Sequence, residues 1–352
     1  MSHIIAESVK ELKEIEDLLS KDVPTYRQAY SDRTAWIMAC LSELAYVKFN
    51  PIVLDKQKKY LLETVSELIG EQKKSSLETL IDLLAYDHNE EKNRLIADLS
   101  ILDITLERTF DNKGTQAILL SNSRFYILAF RGTEPTSIRD IKSDLKASTV
   151  PCETGGKIHK GFKEAFAQVA IDIQNCLDSE EIEAKPLFIT GHSLGGALAT
   201  LATKKLSFKY GIAGCYTFGS PRVADEEWME NVKTPIYRLV NSADPVTMLP
   251  PGADLVNMIG WVVQAIPHYG SPLRRYLLSR FGGYYHVGNM RYLTNAEEGR
   301  YEEAKLLYSV SILRRLRAYI RKASTWKKIP KDHSITVYRK KLKYIAQRRQ
   351  KI

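Results

Sequence analysis

The chain has 352 residues, enough for a sizeable core in one decorated domain or in two ordinary ones. Hydrophobic residues make up 44% and charged residues 26%, a balance that excludes a disordered or fibrous chain. The net charge of +9 is unevenly spread: residues 314–352 hold 15 Lys or Arg against one acid, Asp332, so the remainder is net acidic.

Residues 1–100 read as a helical N-terminal extension. Residues 4–20 carry an amphipathic, charge-rich pattern, and 32–49 place Trp36, Ile37, Cys40, Leu41, Leu44 and Ala45 at helix spacing. Residues 58–69 and 75–86 continue this style. Met1 to Lys21 mixes charged and apolar residues and lacks the uninterrupted apolar core of a signal peptide. A cytoplasmic or peripheral-membrane location is therefore expected. No Gly- or Pro-rich linker follows, so the extension is expected to pack on the next domain.

From residue 101 the period changes. Residues 101–109, 115–121 and 124–130 are strand-like, with Asp111-Asn112-Lys113-Gly114 as the turn between the first two. A helix over 161–177 precedes a strand over 186–190. Then come helix 196–208 and strands 212–218, 236–240 and 287–293. This alternation points to an α/β fold with a mainly parallel central sheet flanked by helices. Residues 297–321 and 335–352 read as helical, and 339–352 form the end of a basic C-terminal helix. The uncharged run 255–273 is broken by Asn257, Gln264, Pro267, His268 and Pro272, so it makes a poor membrane-spanning helix. Two readings stand: an apolar excursion packed on the sheet edge, or a pocket wall or patch that touches membrane.

Cys40, Cys152, Cys176 and Cys215 show no metal-type spacing and read as free thiols. His159 and His192 lack companion ligands and are expected to bond locally. No metal or cofactor is expected.

The chemistry centres on Gly191-His192-Ser193-Leu194-Gly195. A serine hydroxyl is a weak nucleophile until a base and a fixed, exposed position activate it. Here a strand runs straight into the motif and a helix rich in Ala and Leu leaves it, the strand–turn–helix setting of a nucleophile elbow. Side chains at Gly191 and Gly195 would collide as strand and helix close. The Leu194 N–H, at the positive end of that helix, is placed to stabilise an oxyanion. The stretch fits neither glycine-rich phosphate motif. In this kind of fold the acid follows the serine and the base follows the acid. Asp244 lies just past the strand 236–240, whereas Asp225 sits beside the helix 226–230 and Asp254 has no strand before it. Three histidines follow Asp244: His268, His286 and His333.

With these motifs in order, the chain resembles the class 3 (fungal-type) lipase family of the α/β-hydrolase superfamily over residues 102–338. The runs that carry the resemblance are Ala129-Phe130-Arg131-Gly132-Thr133, Ile158-His159-Lys160-Gly161-Phe162, the elbow through Gly196-Ala197, Gly219-Ser220-Pro221-Arg222-Val223, and Val240-Asn241-Ser242-Ala243-Asp244-Pro245-Val246 with Leu249-Pro250-Pro251. The resemblance implies a domain over 101–338 and a cofactor-free serine hydrolase of carboxylic esters in lipids. Its substrate would be an acylglycerol or a phospholipid. It makes Thr133 the second oxyanion residue and favours His333 as base over His286, since a late histidine followed by an aromatic matches the family. The spacing of 89 positions from Asp244 to His333 exceeds the family's compact spacing, through insertions at 255–273 and 297–328. It also places a lid over 135–145, where Ile138, Ile141 and Leu145 recur on one apolar face.

The basic C-terminus interleaves aromatic and aliphatic residues with its cations, which suits an anionic membrane surface. Nucleic acid is not expected, because no nucleic-acid-binding fold accompanies the charge. The other functional class in view is a catalytically silent, lipase-like scaffold or membrane-binding protein.

Overall fold

The computed structural model describes residues 3–21, 23–25, 29–48, 88–133, 149–230, 232–264, 266, 269–281, 283–286, 288–311, 314–315, 317 and 329–350. The helices expected over 58–69 and 75–86, the lid segment with Ile138, Ile141 and Leu145, and His268 lie outside the described residues.

Two helices come first, α1 (Val9–Leu19) and α2 (Asp32–Leu44). Each is started by a serine hydroxyl that accepts a first-turn amide, Ser8 from Glu11 N–H and Ser31 from Thr34 N–H. Helix α3 (His88–Ile101) leads into an antiparallel meander of β1 (Thr105–Asn112), β2 (Thr115–Ser121) and β3 (Tyr126–Phe130). The expected turn between β1 and β2 is a two-residue hairpin. Lys113 and Gly114 both adopt positive φ, 47° and 84°, which matches the twist of the flanking strands.

A small hairpin, β4 (Thr149–Pro151) with β5 (Lys157–His159), then precedes α4 (Lys160–Leu177). The chain continues through β6 (Leu187–His192), α5 (Leu194–Lys205), β7 (Ile212–Phe218), α6 (Glu226–Glu230) and β8 (Ile236–Asn241). A pair of helices, α7 (Ala253–Gln264) and α8 (Gly270–Phe281), intervenes before β9 (Asn289–Leu293). Last come β10 (Leu306–Leu307), α9 (Ile329–His333) and α10 (Ile335–Gln350).

Eight strands form one sheet in the order β1-β2-β3-β6-β7-β8-β9-β10. Its centre, β3 and β6 to β9, is parallel, and antiparallel strands close both edges, so the sheet is mixed. Alternation along the strands divides the core. Ile118, Leu120, Ile127, Phe188, Phe218 and Leu239 face a layer that includes Trp36, Leu41, Tyr338 and Leu342 from α2 and α10. Leu119, Leu128, Phe130, Ile189 and Cys215 face Phe166, Val169, Leu198 and Leu201 from α4 and α5. The described N-terminal helices therefore supply half of the covering layer on one face of the sheet.

Two expectations change. Residues 297–321 do not form one helix: Tyr301–Glu303 is a single 3₁₀ turn, and Leu306 and Leu307 pair with Leu293 and Tyr292 as an edge strand. That pairing gives backbone groups at the sheet edge the partners a helix would have supplied. The basic helix α10 is also not a free cationic face. Arg339, its side chain 2% exposed, pairs with Glu43 of α2 and donates to the carbonyls of Ile5 (2.8 Å) and Ile4 (3.1 Å). Lys343 meets Glu11 at 2.6 Å and Glu14 at 3.0 Å, Lys340 meets Glu7 at 2.7 Å, and Arg349 meets Asp32 at 2.8 Å. Acids of the N-terminal helices thus pair with four of the cations that the sequence analysis offered to an anionic membrane surface.

Among the described residues, no helix is long and apolar enough to cross a membrane. The four cysteines are buried and free.

Candidate active site

Strand β6 ends in a backbone conformation that few side chains tolerate. Ser193 sits between β6 and α5 at φ 56°, ψ −125°, a strained position of the kind found where structure is held for function. The turn is tight enough to demand its glycines. A Cβ on Gly191 would stand 2.2 Å from the Gly195 carbonyl oxygen, and one on Gly195 would stand 2.3 Å from that of Phe130. The second contact also lays the end of β3, with Arg131 to Thr133, against the start of α5. Ser193 N–H donates to Phe218 O at 2.9 Å, which fixes the elbow to β7.

Three of the expected residues meet here from distant parts of the chain. His333 Nε2 lies 2.8 Å from Ser193 Oγ, and His333 Nδ1 lies 2.9 Å from Asp244 Oδ2. The carboxylate can only accept, so Nδ1 carries the ring proton and Nε2 is free to accept from the serine. Asp244 follows β8, and its Oδ1 accepts the Val246 N–H at 2.9 Å. His333 closes the short helix α9. Space here is scarce: a Cβ on Gly219, at φ 59°, would stand 2.7 Å from Asp244 Oδ2 and 2.9 Å from His333 Cε1. All three side chains are buried, with Ser193 5%, Asp244 3% and His333 2% exposed.

Leu194 opens α5, so its N–H belongs to the first-turn amides that find no acceptor within the helix. Thr133 follows β3 beside the elbow and is exposed.

The other histidines have different work. His286 donates from Nε2 to Thr247 O at 2.7 Å, on the loop beyond Asp244. Burial, reinforced by Arg238 and Arg222, pushes it well below the usual imidazole range. His159 caps α4, its Nδ1 accepting Phe162 N–H at 3.4 Å. Asp225 caps too, accepting from Trp228 N–H and Lys157 N–H.

Three residues at this site escaped the sequence reading. Tyr338 donates to Asp244 Oδ2 at 2.6 Å and accepts the Asn241 N–H at 2.9 Å. Asn241 also donates through its amide to Asp332 O at 2.7 Å, beside His333. Tyr46, from the N-terminal extension, lies 2.8 Å from His192 Nδ1, and His192 Nε2 lies 2.6 Å from the His333 carbonyl oxygen. That carbonyl must receive a proton, so Nε2 donates and Nδ1 accepts from the tyrosine. Burial, with His333 beside it, holds His192 well below the usual imidazole range, consistent with a neutral ring. Only the spacing of Tyr338 from His333, within one motif, gave a signal. The partnership of Tyr46 with residue 192 leaves no trace in local sequence.

Known proteins resemble parts of this chain. Residues 127–253 match the family described as Lipase (class 3). Secreted mono- and diacylglycerol lipase 1 of Fusarium solani is 39% identical over 106 residues, covering 28% of this chain and 31% of the relative. A lipase of Rhizomucor miehei is 34% identical over 168 residues, covering 44% of this chain and 46% of the relative. The chain thus spans less than half the length of these curated relatives. The native Rhizomucor miehei lipase propeptide complex aligns with 69% of this chain and 70% of its own, at 23% identity and a TM-score of 0.42. Over residues 127–253, set in a mixed sheet flanked by helices, the chain is similar to the class 3 lipase family.

Proposed function

We propose that this protein is a serine hydrolase of carboxylic esters in acylglycerol lipids. The observation that carries the reading is the unbroken line of contacts Ser193 Oγ, His333 Nε2, His333 Nδ1 and Asp244 Oδ2, each within 2.9 Å of the next across side-chain hydrogen bonds. Neutral His333 takes the serine proton as Oγ attacks the ester carbonyl carbon, and Asp244 holds the imidazole in the tautomer that can do so. The Leu194 N–H and Thr133 stabilise the oxyanion, an interaction worth on the order of 10²–10³ in rate per donor. His333 then protonates the departing alcohol. Water attacks the acyl-serine with His333 as base, releasing the acid and restoring the hydroxyl.

The acylglycerol choice leans on the similarity to the mono- and diacylglycerol lipase of Fusarium solani. A phospholipid stands as the alternative substrate; the cations Arg339, Lys340, Lys343 and Arg349 of α10 meet acids of the same chain. In this reading the segment with Ile138, Ile141 and Leu145 is the lid, and the working place is the cytoplasm or the periphery of a membrane. Hydrolysis that shows no rise as substrate passes from monomers to aggregates removes the lid.

The central test is a panel of triacylglycerol, monoacylglycerol, phospholipid and short aryl esters, run beside fluorophosphonate labelling. Labelling of the wild type that vanishes in Ser193→Ala, with turnover of acylglycerols, is expected. No labelling in either protein returns the chain to the class of silent scaffolds.

A further inference from the structure

The described surface concentrates its exposed large apolar side chains in one place. Of twelve such residues, seven fall within residues 259–276 on the α7–α8 hairpin. Trp261 is 78% exposed, Tyr269 74% and Val262 71%, with Ile266, Leu273 and Tyr276 beside them. A patch of this kind on a folded chain marks a surface meant to be covered.

Charge narrows what covers it. From Leu255 to Ala296 the sequence has no Asp or Glu, while Arg274, Arg275, Arg280 and Arg291 all fall in this stretch. Arg275, on α8 between the patch residues Leu273 and Tyr276, is exposed. Exposed Trp and Tyr, aliphatic neighbours and the exposed Arg275, with Asp254 at the start of α7 the one acid of the hairpin's sequence, are the composition of a segment that lies in a lipid–water interface. Helices of twelve residues span about 18 Å each, too short to cross a bilayer, so the hairpin lies on the surface and does not pass through it.

Position ties the patch to the active site. Helix α7 begins directly after Leu249-Pro250-Pro251-Gly252, the end of the loop that starts at Asp244. Arg222 clamps that loop, donating to Met248 O at 2.5 Å and Pro250 O at 2.7 Å. The hairpin is thus rooted, through a fixed segment, beyond the same end of β8 that carries Asp244.

We propose that the α7–α8 hairpin is a docking surface for an anionic lipid interface. Its apolar side chains enter the headgroup boundary, its arginines meet lipid phosphates or carboxylates, and the hairpin holds the Ser193 edge of the sheet close to that surface. This rests on the lipid-hydrolase reading for its purpose but not for its test.

The test is co-sedimentation of the full chain, carrying Ser193→Ala so that lipid is not consumed, with phosphatidylcholine vesicles with and without phosphatidylserine. The same variants in the Ser193 background are assayed on a soluble short-chain aryl ester. Trp261→Ser/Val262→Ser is expected to lower vesicle binding at least ten-fold and to leave soluble-ester turnover and the thermal midpoint unchanged. Arg275→Glu is expected to weaken binding to the phosphatidylserine vesicles several-fold. Equal binding by wild type and Trp261→Ser/Val262→Ser overturns the proposal, and so does absence of binding by the wild type. A concentration-dependent dimer that Trp261→Ser/Val262→Ser dissolves assigns the patch to a second copy and likewise overturns it. If vesicles bind as expected but the soluble ester is untouched by every protein, the hydrolase reading fails and the docking surface stands.

Discussion

The Tyr338 hydroxyl donates to the same carboxylate oxygen of Asp244, Oδ2, that receives the His333 Nδ1 proton. The acid is therefore held from two sides by residues five apart in the chain, one ending α9 and one in the first turn of α10. Tyr338→Phe removes a donor to Asp244 and also strips the buried Asn241 N–H of its acceptor. A stability loss of about 1–3 kcal/mol is expected from that orphaned amide. Turnover of an aryl ester should fall by about ten-fold with little change in KM, because the tyrosine orients the acid and does not touch substrate. Urea unfolding and steady-state kinetics on one preparation check both.

Single substitutions separate the histidines. His333→Ala should lower kcat at least about 10³-fold, as removal of any member of such a triad does. His286→Ala should keep kcat within about ten-fold of wild type, since its ring bonds Thr247 O and does not bond Ser193. Equal losses in the two variants would count against His333 as the base.

Stability should fall on mild acidification. His192 and His286 are held well below the ordinary imidazole value in the folded chain, by burial first, and regain it near 6.5 on unfolding. The unfolded state then binds more protons as pH drops below about 6.5, so the stability these rings contribute is complete above that pH and lost beneath it. Each histidine costs on the order of 1 kcal/mol by pH 5.5. His286→Gln keeps an N–H for Thr247 O and should flatten the decline between pH 7.5 and 5.5 by about that amount, read from urea midpoints at the two values.

The pair of Glu43 with Arg339 is largely enclosed, the side chains 10% and 2% exposed, and breaking it leaves an uncompensated charge. Glu43→Gln should cost about 3–5 kcal/mol. Lys340→Gln, which loses only the exposed contact with Glu7, should cost under about 1 kcal/mol. Chemical denaturation of the two variants gives the comparison.

What could be read from the sequence was what is local. The elbow at Ser193 shows because strand, glycines and helix adjoin in the chain. The β1–β2 hairpin shows because Lys113-Gly114 satisfies the turn by itself. Asp244 follows from its place after a strand. The meeting of His333 with Ser193 depends on how α9 and α10 dock after long insertions, which no spacing rule encodes. The ion pairs of the basic C-terminus could not be read for a related reason. Its partners Glu7, Glu11, Glu14, Asp32 and Glu43 lie about 300 residues away, and a sum of charges cannot see pairing at that range. Residues 255–273 showed their apolar character openly, but only the structure turned them into a helical pair with its aromatic residues outward.

The interlock of α10 with α1 and α2 also sets an order of events. The proposed base is carried on the short helix next to α10, and α10 finds its seat only when Glu43, Glu11 and the carbonyls of Ile4 and Ile5 are there to receive Arg339 and Lys343. Ser193 can therefore be shaped by β6 and α5 well before it has a proton acceptor. Fluorophosphonate reactivity is therefore expected to appear on refolding only once α10 has docked on α1 and α2.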